Sequence, residues 1–163
     1  MTIIIKNKHT LLFDDFVFKC CVGKKGFTKN KVEGDKKTPI GTYSLENIYF
    51  RKDKVLKPVS KIKCFEIKRN MKWCDDISSK YYNKKINRNG KFRYEKLYRN
   101  DYKYDYFIPI KYNWNKPKSP KGSAIFIHLT KNYHPTNGCI ALSTKDFLIL
   151  AKLINKNTKI KIL

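Results

Sequence analysis

The chain has no long apolar run. Nothing in its 163 residues approaches the roughly 18 consecutive apolar residues that a membrane-spanning helix needs. Its start, Met1-Thr-Ile-Ile-Ile-Lys-Asn-Lys, is too short in apolar residues, and meets Asp14-Asp15 too soon, to read as a secretory signal. Closely spaced pairs of metal ligands are missing as well: neither the adjacent Cys20 and Cys21 nor Cys64 and Cys74 resemble a zinc knuckle, so no metal is expected. There is no internal repeat and no low-complexity linker, which leaves a single domain over 1–163 as the simplest organisation. Acid is scarce too. Thirteen Asp and Glu against 37 Lys and Arg leave a net charge of +24. Such a field draws in polyanions, whether nucleic acid, anionic lipid or the carboxylate-rich peptides and acidic polymers of a cell wall. The lysines are dispersed rather than gathered into a run, which fits a compositional bias along the chain as well as a binding patch.

Enough apolar material remains to fold. Hydrophobic residues make up 41% and aromatics 14%, and a chain of this length can bury roughly two-thirds of its unfolded surface. The pattern is mostly strand. Thr2–Lys6 is β-branched, Thr10–Cys21 reads as two strands joined through Asp14-Asp15, and Thr42–Phe50, Ile62–Ile67, Tyr104–Tyr112, Ser123–Leu129 and Thr158–Leu163 follow. Gly23 to Gly41 is a basic, glycine-punctuated loop, and the polar, tyrosine-rich stretch from Arg69 to Arg99 reads as a functional excursion or lid. One helix is expected: Ser143 offers an N-cap, Asp146 an acid in the first turn, and Phe147, Leu148, Leu150, Ala151 and Leu153 recur at helical spacing.

The most informative stretch is Ser123-Ala-Ile-Phe-Ile-His128 followed by Thr136-Asn-Gly-Cys139-Ile-Ala-Leu142. An apolar strand delivers a histidine to its end, and a short loop returns to a cysteine directly after a glycine. A free thiol is only a few per cent thiolate at neutral pH, so an imidazole within reach that takes its proton makes it a nucleophile. Gly138 permits the tight turn that presents bare N–H groups to a carbonyl under attack. Five cysteines cannot all pair within one chain, and Cys139 is the candidate free thiol; Cys64 and Cys74 read as small core residues, with a disulfide between them the alternative in an oxidising compartment.

This segment resembles the catalytic signature of the L,D-transpeptidase (YkuD-type) family of cell-wall enzymes. His128 matches the family's strand-closing histidine, Thr136 the Ser/Thr of its box, Gly138 the glycine and Cys139 the nucleophile. Glu33-Gly-Asp35-Lys-Lys-Thr38-Pro39-Ile-Gly41 looks like the upstream Gly-Asp, Thr-Pro, Gly segment, and Met71-Lys-Trp73-Cys-Asp-Asp76 with Tyr82-Asn83 looks like the tryptophan-and-acid stretch of one branch. Asn137 stands where the family usually has a second histidine, and Ala141 where many members carry an arginine. A branch with a Thr-X-Gly-Cys-Ile/Val-Ala-Leu box shares both departures, which put the substrate rather than the activity in question.

The resemblance implies a mainly β, sandwich- or barrel-like mixed scaffold with a helix after the cysteine. It implies a cysteine acyltransferase acting on peptidoglycan stem peptides outside the cytoplasm, in tension with the absence of a visible signal. Cys139 would be the nucleophile and His128 the base and acid, oriented by a main-chain carbonyl. The Gly138 and Cys139 amides would hold the oxyanion, and Thr136, Asn137, His134, Trp73 and Tyr82 would meet substrate. No cofactor is implied. Hydrolysis at the same site, as an L,D-carboxypeptidase, is the near alternative. A basic nucleic-acid-binding module and a catalytically idle wall-binding domain are the rivals from other classes, the first without a recognised nucleic-acid motif to support it.

Overall fold

The computed structural model describes all 163 residues. Its strands are β1 (Thr2–Asn7), β2 (Thr10–Phe13), β3 (Phe16–Cys21), β4 (Phe27–Thr28), β5 (Thr38–Pro39), β6 (Gly41–Ser44), β7 (Ile48–Phe50) and β8 (Cys64–Glu66). They continue as β9 (Lys72–Cys74), β10 (Lys85–Ile86), β11 (Tyr94–Lys96), β12 (Tyr106–Pro109), β13 (Phe126–Leu129) and β14 (Ile140–Leu142), then helix α1 (Thr144–Leu153) and β15 (Lys159–Ile162). Ten strands form one mixed sheet in the order β6-β15-β1-β2-β3-β14-β13-β12-β7-β8. The sheet curls back on itself. Lys111 N–H donates to the Ser44 carbonyl at 2.9 Å, Glu46 N–H donates to the Pro109 carbonyl at 2.9 Å, and Leu45 bridges Ile110, so the β6 edge returns to the end of β12. The expected mainly β, barrel-like scaffold with a helix after Cys139 is what the chain adopts.

Strand alternation sorts the side chains onto two faces. Ile127 and Leu129 of β13, Ile140 and Leu142 of β14, and Tyr106 and Ile108 of β12 turn into the larger core, where Phe147, Leu150 and Ala151 of α1 meet them. Burying each such side chain contributes about 1.5–3 kcal/mol. The alternate residues Phe126 and Phe107 turn to the opposite face and join a second cluster with Tyr49, Ile67, Trp73, Leu97 and Tyr104. This outer cluster is roofed by a three-stranded sheet, β10-β9-β11. The Arg69 to Arg99 stretch is thus an ordered small sheet pinned by aromatic packing, with the Trp73 ring edge-on to Phe126 at 5.0 Å.

Several expected strands are shorter than their apolar pattern: Ile62–Ile67 is strand only over Cys64–Glu66 and Tyr104–Tyr112 only over Tyr106–Pro109. Thr42–Phe50 is broken between β6 and β7, where the backbone leaves the sheet edge to reach Pro109 and Ile110. The run from Ser123 becomes β13 only at Phe126, because Ala124 takes φ 52, a left-handed conformation that ends an extended segment. Helix α1 begins as its cap predicts: the Asp146 N–H donates to Ser143 Oγ at 3.1 Å. All five cysteines are free thiols; Cys74 is buried and Cys64 half-buried with its thiol turned to main-chain carbonyls.

Candidate functional site

Cys139 and His128 lie on the face of the sheet away from α1. In the parallel β13–β14 pair, Ile127 faces Ile140 and His128 faces Ala141. One step earlier in that register, the Phe126 N–H donates to Cys139 Sγ at 3.3 Å. Both side chains line one half-open cavity of about 790 Å³, within the range of small-ligand sites. The thiol donates to the Ala124 carbonyl at 3.2 Å, which the left-handed turn at Ala124 makes available.

A main-chain carbonyl holds the imidazole. Its Nδ1 lies 3.0 Å from the Leu129 carbonyl, which can only accept, so Nδ1 carries the proton and Nε2 is left with its lone pair. His128 is 7% exposed. Burial lowers its pKa to about 4, helped by the charges of Lys103 and Arg99, while the Leu129 carbonyl works the other way. Burial likewise pushes the Cys139 thiol up to about 12, with the Glu95 charge adding to it and the Phe126 N–H and Lys31 opposing it. At neutral pH the site therefore rests as a neutral thiol and a neutral imidazole lining one cavity, not as an ion pair. A base that is already unprotonated can accept the thiol proton as attack begins.

The turn carrying Cys139 is stitched from both sides. Thr136 Oγ1 accepts from the Gly138 N–H at 3.1 Å and donates to the Cys139 carbonyl at 2.6 Å. From the upstream loop, Thr38 Oγ1 donates to the Gly138 carbonyl at 2.9 Å and accepts from the Gly23 N–H at 2.9 Å. Gly138 has φ +139, and a Cβ there would sit 2.9 Å from the Lys37 carbonyl, so this position requires glycine. The Gly138 N–H is taken by Thr136, whereas the Cys139 N–H has no acceptor in the protein. Thr136 likewise spends its hydroxyl on the turn.

The other expected contacts divide. His134 and Asn137 are exposed and line the cavity. Trp73 and Tyr82 do not, because both are buried behind its wall. Trp73 Nε1 donates to Asn83 Oδ1 at 2.9 Å, and Asn83 in turn donates to the carbonyls of Tyr112 and Asn113 and accepts from the Ala124 N–H. Tyr82 donates to Glu33 Oε2 at 2.5 Å and accepts from the Gly122 N–H at 2.8 Å, tying the Glu33–Asp35 turn to the segment entering β13.

Residues not singled out from the sequence also line the cavity: Glu95, Tyr104, Arg99, Ser123 and Lys31. The Tyr104 hydroxyl donates to Glu95 Oε1, and its ring stands edge-on to the His128 ring with centroids 5.4 Å apart. Burial raises the Glu95 carboxyl, while Tyr104 and Arg99 hold it down. The available signal was small: a lone acid in a basic stretch of an acid-poor chain.

The sequence of residues 1–162 matches that of the L,D-transpeptidase catalytic domain family, YkuD. No curated protein matches the chain. Among solved structures it is similar to the helical cell shape determining protein Pgp2 from Campylobacter jejuni, at 17% identity and a TM-score of 0.47, covering 99% of this chain and 45% of that one. The chain thus spans less than half the length of that protein. Domains of the family generally act on peptidoglycan in the extracytoplasmic space. With nearly its whole length matched, this chain belongs to the YkuD L,D-transpeptidase catalytic domain family.

Proposed function

We propose that residues 1–163 act as a single catalytic domain that transfers peptidoglycan stem-peptide acyl groups through a Cys139 thioester, making 3→3 cross-links. The reading is carried by one observation: Cys139 and His128 line the same cavity, with Nδ1–H spent on Leu129 and Nε2 free to take a proton. The reaction requires the S–H to leave the Ala124 carbonyl and reach Nε2 of the imidazole. Sγ then attacks the carbonyl carbon that follows the L-centre of the third stem residue, and the proton passes to Nε2. The tetrahedral oxygen is met by the Cys139 N–H; one such donor lowers a barrier by about 3–4 kcal/mol. As the carbon–nitrogen bond breaks, the imidazolium protonates the departing D-amino acid. A side-chain amine of a second stem attacks the thioester, gives its proton to Nε2, and the sulfur leaves and is reprotonated.

Water in place of that amine gives an L,D-carboxypeptidase from the same groups. The openness of the cavity to solvent supports keeping this second reading.

Mass spectrometry after exposure to a carbapenem or a tetrapeptide stem tests the proposal. An adduct on Cys139, absent in Cys139→Ser and lost in His128→Ala, is expected. An adduct lost only in His134→Ala moves the base to His134, and no adduct at any pH overturns the enzyme reading. A supplied acceptor stem then separates the outcomes, a cross-linked dimer indicating transfer and a tripeptide alone indicating hydrolysis.

A further inference from the structure

Among the lysines of this chain Lys31 alone is buried; the other buried cation, Arg51, pairs with Asp53 outside the cavity. The Lys31 side chain is 4% exposed, in a chain whose lysines are otherwise spread over the surface. Burying an ammonium is costly unless it is paired. Asp35, four residues on, is its partner. Burial would lift the Asp35 carboxyl, but hydrogen bonds from Lys31 and from the N–H groups of Val32 and Lys37 leave it below the usual range. A surface pair would have closed the same turn without burial, so the pairing does not explain the location.

The two glycines beside Lys31 do. Gly122 has φ +97, and a Cβ there would strike Lys31 Cγ at 2.7 Å. Gly138 has φ +139, and a Cβ there would lie 3.6 Å from Lys31 Nζ. The lysine stem therefore runs through a slot kept open at Gly122 and ends against the turn that carries Cys139. Lys31 and Cys139 line the same cavity. Tyr104 ahead of β12 and His128 on β13 rest neutral. Of the other charged groups, Glu95 on β11 acts on the thiol against Lys31, and Arg99, which also lines the cavity, is paired with Glu95; Lys36, Arg93 and Lys103 complete the cationic lining.

We propose that Lys31 is a positioning residue for the reaction: lodged between Gly122 and Gly138, its ammonium supplies the positive charge that favours the Cys139 thiolate over the thiol. The charge acts through Cys139, offsetting Glu95 as the thiol proton moves to His128 Nε2. The long loop between β3 and β6 thus has a purpose beyond bracing the turn, since it carries a cation to the nucleophile. An opposite charge nearby favours the thiolate, and each pKa unit of that effect is equivalent to about tenfold in thiolate at a pH below its titration. The inference rests on reading Cys139 as the nucleophile.

The test is the pH profile of iodoacetamide alkylation, read at Cys139 by peptide mass spectrometry, with the half-buried Cys64 as internal reference and thermal unfolding as the check on folding. Lys31→Met should slow Cys139 alkylation about tenfold at pH 8 and move its profile to higher pH, with Cys64 unchanged. Lys31→Gln, which keeps a donor for Asp35, should do the same and gives the reading if the methionine variant fails to fold. Unchanged or faster alkylation of Cys139 in a folded variant overturns the proposal, because a lysine that only braces the loop would leave the thiol as reactive or expose it. Alkylation needs no peptidoglycan. A Cys139 that takes no carbapenem, yet depends on Lys31 for alkylation, would sink the acyl-transfer reading and leave this inference standing.

Discussion

The two faces of the central sheet are built by different means. Toward α1, the core is mainly aliphatic and periodic, with Ile and Leu from β1, β13, β14 and β15 interlocking with one helix and five aromatics among its 25 residues. On the other face seven residues, five of them aromatic, form a smaller cluster under a three-stranded sheet. Its surroundings are polar and buried: Asn83 under Trp73, Tyr104 on Glu95, and the thiol and imidazole themselves. The first face supplies stability through area alone, which tolerates shape changes. The second fixes directions, because aromatic edges and buried hydrogen bonds allow few arrangements. The proposed chemistry sits on the face where direction is controlled.

Removing one ring from each face would separate those contributions most strongly. Phe13→Ala in the mainly aliphatic core and Phe126→Ala in the aromatic cluster should each destabilise by about 3–5 kcal/mol in urea unfolding, as both rings are fully buried. Their effects on acylation should differ. Phe13→Ala should leave carbapenem acylation per folded molecule unchanged. Phe126→Ala removes the ring against Trp73, Phe107 and Tyr104, and so the support for the ring that abuts His128. It should slow acylation about tenfold or more. Equal acylation in the two variants would erase the distinction between the faces.

Acid should separate them next. His128 has a folded pKa near 4, below its ordinary 6.5, so between these values the unfolded chain binds a proton that the folded chain does not. Stability contributed by the neutral imidazole is complete above about pH 6.5 and falls as pH drops toward 4, by up to about 3 kcal/mol. Glu95 works in the opposite direction, since burial raises its carboxyl and protonation favours the folded state. The difference between wild type and His128→Gln, followed by denaturant unfolding from pH 7 to 4, isolates the histidine. A difference that does not vary with pH would contradict the buried neutral imidazole. The acidic limb of acylation should likewise lie nearer pH 4 than 6.5.

How much of each face could be read beforehand follows from the same contrast. The hairpin through Asp14-Asp15, the Ser143 cap and the alternating Ile and Lys of β15 are local patterns, and each became the expected element. The positions of Cys139 after a glycine corner and His128 near a strand end could be read because both are local, while the roles proposed for them came from the family resemblance. The outer face was not. Strands of two or three residues such as β9, β10 and β11 are too short to show a period, and their pairing depends on contacts such as Trp73 on Phe126. Trp73 and Tyr82 looked like groove residues because an aromatic beside acids has the same appearance whether it lines a groove or braces its wall. Lys31 was hidden among many lysines, since burial is decided by Gly122 and Gly138, far away in sequence.

The finest comparison sets two hydroxyls against each other. Ser143 Oγ accepts from the Asp146 N–H at the start of α1, and Thr136 Oγ1 accepts from the Gly138 N–H in the turn before β14. Each satisfies one otherwise orphaned donor, so Ser143→Ala and Thr136→Val should each cost about 1 kcal/mol in thermal or urea unfolding. Only the second hydroxyl also binds the Cys139 carbonyl. Losing it frees the peptide that aims Sγ and the unpaired Cys139 N–H, and a small misplacement at a reacting atom is amplified in rate. Thr136→Val should therefore slow carbapenem acylation about tenfold at unchanged fold, while Ser143→Ala should leave it untouched. If the two variants acylate alike, the turn is held by Thr38 on the Gly138 carbonyl from the other side, and Thr136 is a cap like any other.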